Sequence, residues 1–189
     1  MSLVTVETST FPIVHISLKG NFTGEDAALE TLFTEWDRLY ERHIPFTLVF
    51  DTLGIENVPV SYCVRMAMFI RKVKSKSRVL LKKTIVVLNS DFVARLLRMI
   101  LSIQKPICPV ALINTNDICD IKTVLTDMLC DRPRTDVKTI VPEDDAADGG
   151  IGERLSRYLF GTNAASSADE MPDSNVTGTA QYSEQPSST

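Results

Sequence analysis

The sequence is poor in the residues that most often carry chemistry. It has two histidines, His15 and His43, and four cysteines, Cys63, Cys108, Cys119 and Cys130, with no C-x-x-C pair among them. Zinc knuckles and dithiol redox motifs need closely spaced ligands, so no metal site and no cofactor is expected. Scattered cysteines of this kind read as reduced, mostly buried thiols. No G-x-G-x-x-G, G-x-x-x-x-G-K-[ST] or H-E-x-x-H occurs, and "LKGNFTG" reads as a turn rather than a phosphate loop. A Ser-His-Asp hydrolase would have to recruit His15, on the polar side of a strand, or His43, at a helix C-terminus where a cation is favoured anyway. The chain is therefore expected not to be an enzyme. Its first ten residues, "MSLVTVETST", hold no basic segment followed by a long apolar run, and Arg98 interrupts the most apolar segment. Neither a signal peptide nor a transmembrane segment is expected, which makes a cytoplasmic protein the expectation.

What the chain does have is an uneven charge. Residues 1–56 hold three basic and nine acidic groups, residues 57–116 eleven and one, and residues 117–189 six and fourteen. A basic block thus sits between acidic flanks. Apolar residues are equally uneven. They thin out after Cys130, where Ser, Thr, Asp, Pro, Gly and Ala take over. At 189 residues the chain has room for one domain with a proper core, assigned to residues 1–131. Residues 132–189 form an acidic Ser/Thr/Pro-rich tail. It cannot offset a backbone entropy of roughly 1 to 2 kcal/mol per residue and is expected to be disordered. Within it, "IGERLSRYLFG" aligns Ile151, Leu155, Tyr158 and Leu159 as a short helix over 151–160 would.

Hydrophobic periodicity places the elements of the domain. Strands are predicted over Leu3–Glu7 and Ile13–Leu18, paired antiparallel across "TSTFP". A helix opens near Thr23 or Gly24 with Glu25 and Asp26 in its first turn, carries Leu29, Leu32, Phe33, Trp36, Leu39 and Tyr40 at three- and four-residue steps, and stops near His43 ahead of Pro45. "FTLVF", residues 46–50, reads as a central strand buried on both faces, with Asp51 and Gly54 in the loop after it. A second helix over about 60–75 groups Val64, Ala67, Met68 and Val73. "KTIVVLN" is the next strand, and "SDFVARLLRMILSIQ" is a helix capped by Ser90 with a narrow polar face. "CPVALIN" is the last strand, and a final helix begins at Asp117. The order predicts an α/β fold: a mixed, mostly parallel central sheet of about five strands flanked by about four helices.

In "TLVFDTLGIENVPVSYCVRM" a strand ends in Asp51, passes Gly54 and enters a helix at Ser61. Together with the preceding "FPIVHISLKGNFTGEDAALETLFTEWDRLYERHIPFTLVFD", this layout resembles the STAS domain, and within it the SpoIIAA-like group, over roughly residues 10–130. In that family an Asp-Ser-(Ser/Thr)-Gly motif opens the helix and its second hydroxyl is phosphorylated. This chain has Pro59, Val60 and Tyr62 around the one surviving hydroxyl. The resemblance implies a non-enzymatic regulatory domain that binds a protein partner. Ser61 then has two readings, a helix cap or a phosphorylation site, and Asp51 and Gly54 anchor the loop.

Between Glu56 and Asp91 there is no acidic residue, and Arg71, Lys72, Lys74, Lys76, Arg78, Lys82 and Lys83 crowd that interval. Read as one surface, they fit an anionic lipid headgroup layer, at about 1 kcal/mol per basic residue. Nucleic acid is not expected, because no aromatic residue interleaves with them and the chain is acidic overall. From a different class, the layout is also similar to lipid-carrying CRAL-TRIO domains, in which the apolar helix over 91–104 would line a lipid or small-molecule cavity.

Overall fold

A computed structural model of the chain describes residues 2–142, apart from Ser77 and Cys119. Two strands open it, β1 (Val4–Glu7) and β2 (Ile13–Asn21), and α1 (Asp26–Glu41), β3 (Phe46–Asn57) and α2 (Val60–Lys74) follow. Then come β4 (Leu81–Leu88), α3 (Asp91–Ile103), β5 (Val110–Asn114), α4 (Ile121–Leu129) and β6 (Lys138–Ile140). The six strands form one sheet in the order β1-β2-β3-β4-β5-β6. β2 through β5 are parallel, and the edge strands β1 and β6 run antiparallel to their neighbours. The expected α/β architecture is present, with one strand more than the sequence predicts.

Parallel strands laid down in chain order, each joined by a right-handed crossover, carry their helices to the same face. The packing follows. α1, α2 and α3 cover one face, where Trp36, Phe50, Phe69 and Val86 belong to the main core. Trp36, only 5 % exposed, lies against Phe50 and Phe69, with ring centroids 5.7 and 5.5 Å away. The other face has its own smaller core, in which Val124 and Met128 of α4 meet Val49, Ile85, Ala111 and Ile113. Where α4 does not reach, β2 and β3 turn polar side chains outward, among them His15, Ser17 and Asp51.

Local signals explain the helix ends. α1 stops because His43 adopts a left-handed conformation (φ 55°) and Pro45 follows. Ser90 caps α3, its hydroxyl accepting a bond from the Phe92 amide at 3.2 Å. α4 begins at Ile121 rather than Asp117, because the Asp120 carboxylate takes the cap position and accepts the Thr123 amide at 3.1 Å. Residues 115–117 instead form a turn held by Asn114 and Asp117. α2 buries Tyr62, Cys63, Ala67, Phe69 and Val73, whereas Met68, grouped with the apolar stripe by spacing alone, points outward and is 56 % exposed.

Two departures concern strand length. β3 does not end at Phe50 but continues to Asn57, paired with an equally extended β2 through Lys19↔Gly54 and Asn21↔Asn57, with bulges between. This extension is held by backbone pairing, with Thr52 buried and Ile55 packed on the main core between exposed Leu53, Glu56 and Asn57, so it has no continuous apolar run to announce it. The second is β6, which lies past the expected domain end at Asp131. Its own residues are exposed or half-buried, and the anchor is Val137 just before it, buried in the α4-side core. The 151–160 segment lies outside the described residues.

Burying one valine is worth roughly 1.5 to 3 kcal/mol. A chain ended at Pro142 should therefore melt about 5 °C or more above one ended at Asp131, as thermal denaturation followed by circular dichroism would show. Equal melting temperatures would mean that β6 and Val137 add nothing to the domain.

Candidate functional site

Between the sheet and the three helices on its first face lies a cavity of about 170 Å³. Phe50, Val86 and Val110 of the sheet, Leu32 and Trp36 of α1, Met66 and Ile70 of α2, and Leu96, Leu97 and Ile100 of α3 line it, and it is half open to solvent. Among the described residues, no charged side chain lines it. The geometry arises because α2 and α3 pack on each other through a core of their own. There Cys63 and Ala67 meet Met99 and Ile103, apart from the main core beneath.

The few polar groups on the wall are mostly occupied. Thr52 donates to the Val87 carbonyl at 2.7 Å, and the Thr84 hydroxyl lies 3.4 Å from the Cys108 sulfur. Burial pushes the Cys63 and Cys108 thiols up to about 11, so both are protonated and unreactive at neutral pH. The wall also includes Tyr62 and Trp36, whose indole N–H finds no acceptor among the described residues. The Tyr62 hydroxyl likewise finds no hydrogen-bond partner among the described residues, and its phenol is raised by burial and then by the nearby Asp26 carboxylate. The apolar helix over 91–104, expected from the sequence to line a cavity if the CRAL-TRIO likeness holds, is α3 and does line this one, while periodicity alone does not show which of its neighbours share the space.

The sequence-predicted site residues do not converge on this cavity. Asp51 lies within β3 rather than in a loop, on the opposite face. One of its carboxylate oxygens accepts from the Ser17 hydroxyl at 3.2 Å and the other from the Leu53 amide at 3.0 Å. Gly54 also sits in the strand, where its role is close approach: a Cβ there would meet Lys19 Cγ at 2.7 Å. Ser61 is not the cap of α2. The helix begins at Val60, the cap position belongs to Pro59, and no side chain caps it. Ser61 lies inside the first turn with its side chain exposed. His15 stands on β2 in register with Glu7 and Val49, on the face away from the cavity. Among the described residues, no group of three or more His, Cys, Asp or Glu side chains could hold a metal ion, and no helix is long and apolar enough to cross a membrane.

The basic block does not form one surface either. Lys72 and Lys76 both reach back to Asp37 on α1, at 2.9 and 2.8 Å, and Lys76 also lies over the Tyr40 ring. Lys83 sits on the other side of the sheet, bonded to the Met128 carbonyl at the end of α4 and to Asp131. Lys74 is half-buried, and Arg71, Arg78 and Lys82 are exposed. The sequence shows the excess of positive charge but not these partners, because Asp37 is 35 and 39 residues away from the lysines it binds.

Burial pushes the Asp37 carboxyl up, but hydrogen bonds and charge from Lys76 and Lys72 outweigh it and hold the group below the usual carboxylate range. A lowered folded-state value stabilises the protein above the unfolded value and loses that contribution as pH falls through the folded one. Asp37→Asn should therefore cost up to about 1 kcal/mol at pH 7. The gap to the parent in urea denaturation should shrink as pH drops below about 4, where the parent's own Asp37 becomes protonated. A gap that persists at pH 2 would assign the effect to packing instead.

No family model, no curated protein and no solved structure matches this chain.

Proposed function

We propose that this chain is a non-catalytic binding domain that takes a small apolar molecule into the cavity between the sheet and α1, α2 and α3, a role parallel to that of lipid-carrying CRAL-TRIO domains. The cavity itself carries this reading. It is an apolar recess of about 170 Å³, half open to solvent, so a small molecule can enter it from the surface. A concave, open-mouthed space walled by apolar side chains is the usual form of a small-molecule site. Its polar groups are hydroxyls and thiols with no base among them, which suits holding a molecule rather than transforming it.

A separate observation favours a STAS-like, SpoIIAA-like role in docking a protein. The Ser61 side chain is exposed in the first turn of α2, next to Val60, which is 53 % exposed, on the strand–helix layout in which that family carries its phosphorylated hydroxyl. Cys63, Cys108 and Cys130 are all free thiols, which supports a reducing, cytoplasmic setting for either role. An anionic lipid surface has less support, since Lys72, Lys76 and Lys83 already face carboxylates within the domain.

Native mass spectrometry of protein purified from its source cells should show the chain with one apolar molecule, released into organic solvent. Val86→Phe, which places a ring in the cavity lining, should be purified without it. Refilling the emptied parent chain at about a hundred times Kd should stabilise it by about 2.7 kcal/mol. A bare parent chain that gains no thermal stability from any small apolar compound would overturn the reading.

A further inference from the structure

We infer that "IGERLSRYLF", residues 151–160 of this same chain, docks as a short helix beside α3, over β5 and β6 on the face that carries α1, α2 and α3. The inference does not rest on a small molecule entering the recess.

The two flanks of α3 are treated differently. At about 3.6 residues per turn, Met99 and Ile103 point to one side, where they pack on Cys63 and Ala67 of α2. Leu97 and Leu101 stand on the opposite flank and are only half-buried. The sheet beside that flank continues the apolar surface. Leu112 of β5, Ile140 of β6 and Ile107 ahead of β5 pack against the main core and are likewise half-buried. The pairs Val110↔Ile140 and Leu112↔Lys138 set these side chains on one face, since cross-strand partners share it. Among the described residues, no helix follows α3 on this side of the sheet, because α4 packs on the other.

The chain itself supplies an occupant. β6 runs antiparallel to β5, so the chain leaves Pro142 at the start of β5, close to Ile107. Eight residues separate Pro142 from Ile151, a reach of up to about 30 Å when extended, against about 20 Å for the length of α3. Ile151, Leu155, Tyr158 and Leu159 fall on one helical face, with Glu153, Arg154, Ser156 and Arg157 on the other. So short a helix is marginal in water by itself, and its apolar face needs a surface. Charge agrees with this placement. Glu143, Asp144, Asp145 and Asp148 fill the connection with no basic residue among them, and exposed Arg98 and Lys138 border the flank. A short tether also gives the segment an effective concentration on the order of millimolar, an advantage that a separate partner lacks. Leu97, Leu101 and Ile107 line the recess as well, so a helix laid there closes one side of it.

The test uses the full-length chain with p-benzoylphenylalanine in place of Tyr158, irradiated in dilute solution, the cross-links being located by tandem mass spectrometry. Links should form within one chain, to Leu97, Leu101, Ile107 or β6. Combining Ile151→Asp with Leu155→Asp should abolish them, and neither substitution touches the domain. Backbone amides of residues 152–160 should exchange with deuterium about tenfold or more slowly in the parent than in that double variant, as a docked helix requires. Equal exchange in the two chains, or links scattered over the surface, would overturn the inference. Links that join two chains would give the groove to a second copy, and slow exchange seen only with phosphatidylglycerol vesicles would give the segment to a membrane. Either result also overturns it. A parent chain that binds no small apolar compound leaves these readouts unchanged, so this inference and the ligand reading fail separately.

Discussion

A parallel sheet laid down in chain order has to put its crossover helices on one face, and the rest of this molecule follows from that constraint. β2, β3, β4 and β5 stand side by side in sequence, so α1, α2 and α3 arrive on the same side and compete for the same strands. Among the described residues the opposite face receives only α4, which covers β4 and β5 and leaves the β2–β3 end polar. The order never reverses, so there is no switch point of the kind that opens a ligand crevice at the carboxyl ends of the strands. The available interior space lies under the helices instead.

Three helices over four strands do not all seat equally well. α1 is tied down by aromatic contact, with Trp36 against Phe50 and Phe33 stacked on Phe69 at 4.3 Å. α2 and α3 are committed to each other. Ala67 and Cys63 are small enough to let α3 approach, and Met99 and Ile103 fill that seam. Side chains spent there are not available to the sheet, and the gap that remains beneath is the cavity. The same division explains why α3 is apolar around most of its circumference: one part of it faces α2 and another faces the open space.

Elements whose burial is dictated along the chain are legible in the amino-acid order alone. Phe46, Leu48, Val49 and Phe50 are a continuous apolar run and are buried, and the stripe Leu29, Leu32, Trp36, Leu39, Tyr40 is the inner face of α1. Ser90 caps α3 because its own side chain does the capping, a strictly local event. What is not legible there depends on a partner or on empty space. β6 has a strand's backbone and a tail's composition, held by its pairing with β5, by Val137 just before it and by Ile140 against the main core. Residues 51–57 are a strand because Lys19 to Asn21 lie alongside. Ser61 misses the cap by two positions, since the helix starts right after Pro59, whose fixed φ suits a helix entrance. The cavity is a matter of where side chains fail to meet, and no residue type encodes that.

The uneven charge of the chain finds its explanation at the same seams. An acidic first third and a basic middle third look on paper like two surfaces for two partners. In the fold part of each meets the other across one contact. Arg65 on α2 reaches Asp26 and Glu30 on α1, and further along Lys72 on α2 and Lys76, just past its end, reach Asp37, so that charges along α2 are matched to charges along α1. Lys83 and Asp131 repeat the pattern between the middle and last thirds across the α4 end of the sheet. Each exposed pair is worth little alone, at roughly 0 to 1 kcal/mol, so stability is not what they chiefly supply. They supply register. α1 and α2 bury apolar faces that could slide by a turn at modest cost. Opposite charges spaced along both helices penalise every register but one. That register is the one that brings Trp36 and Phe69 together and sets the wall of the cavity where it stands.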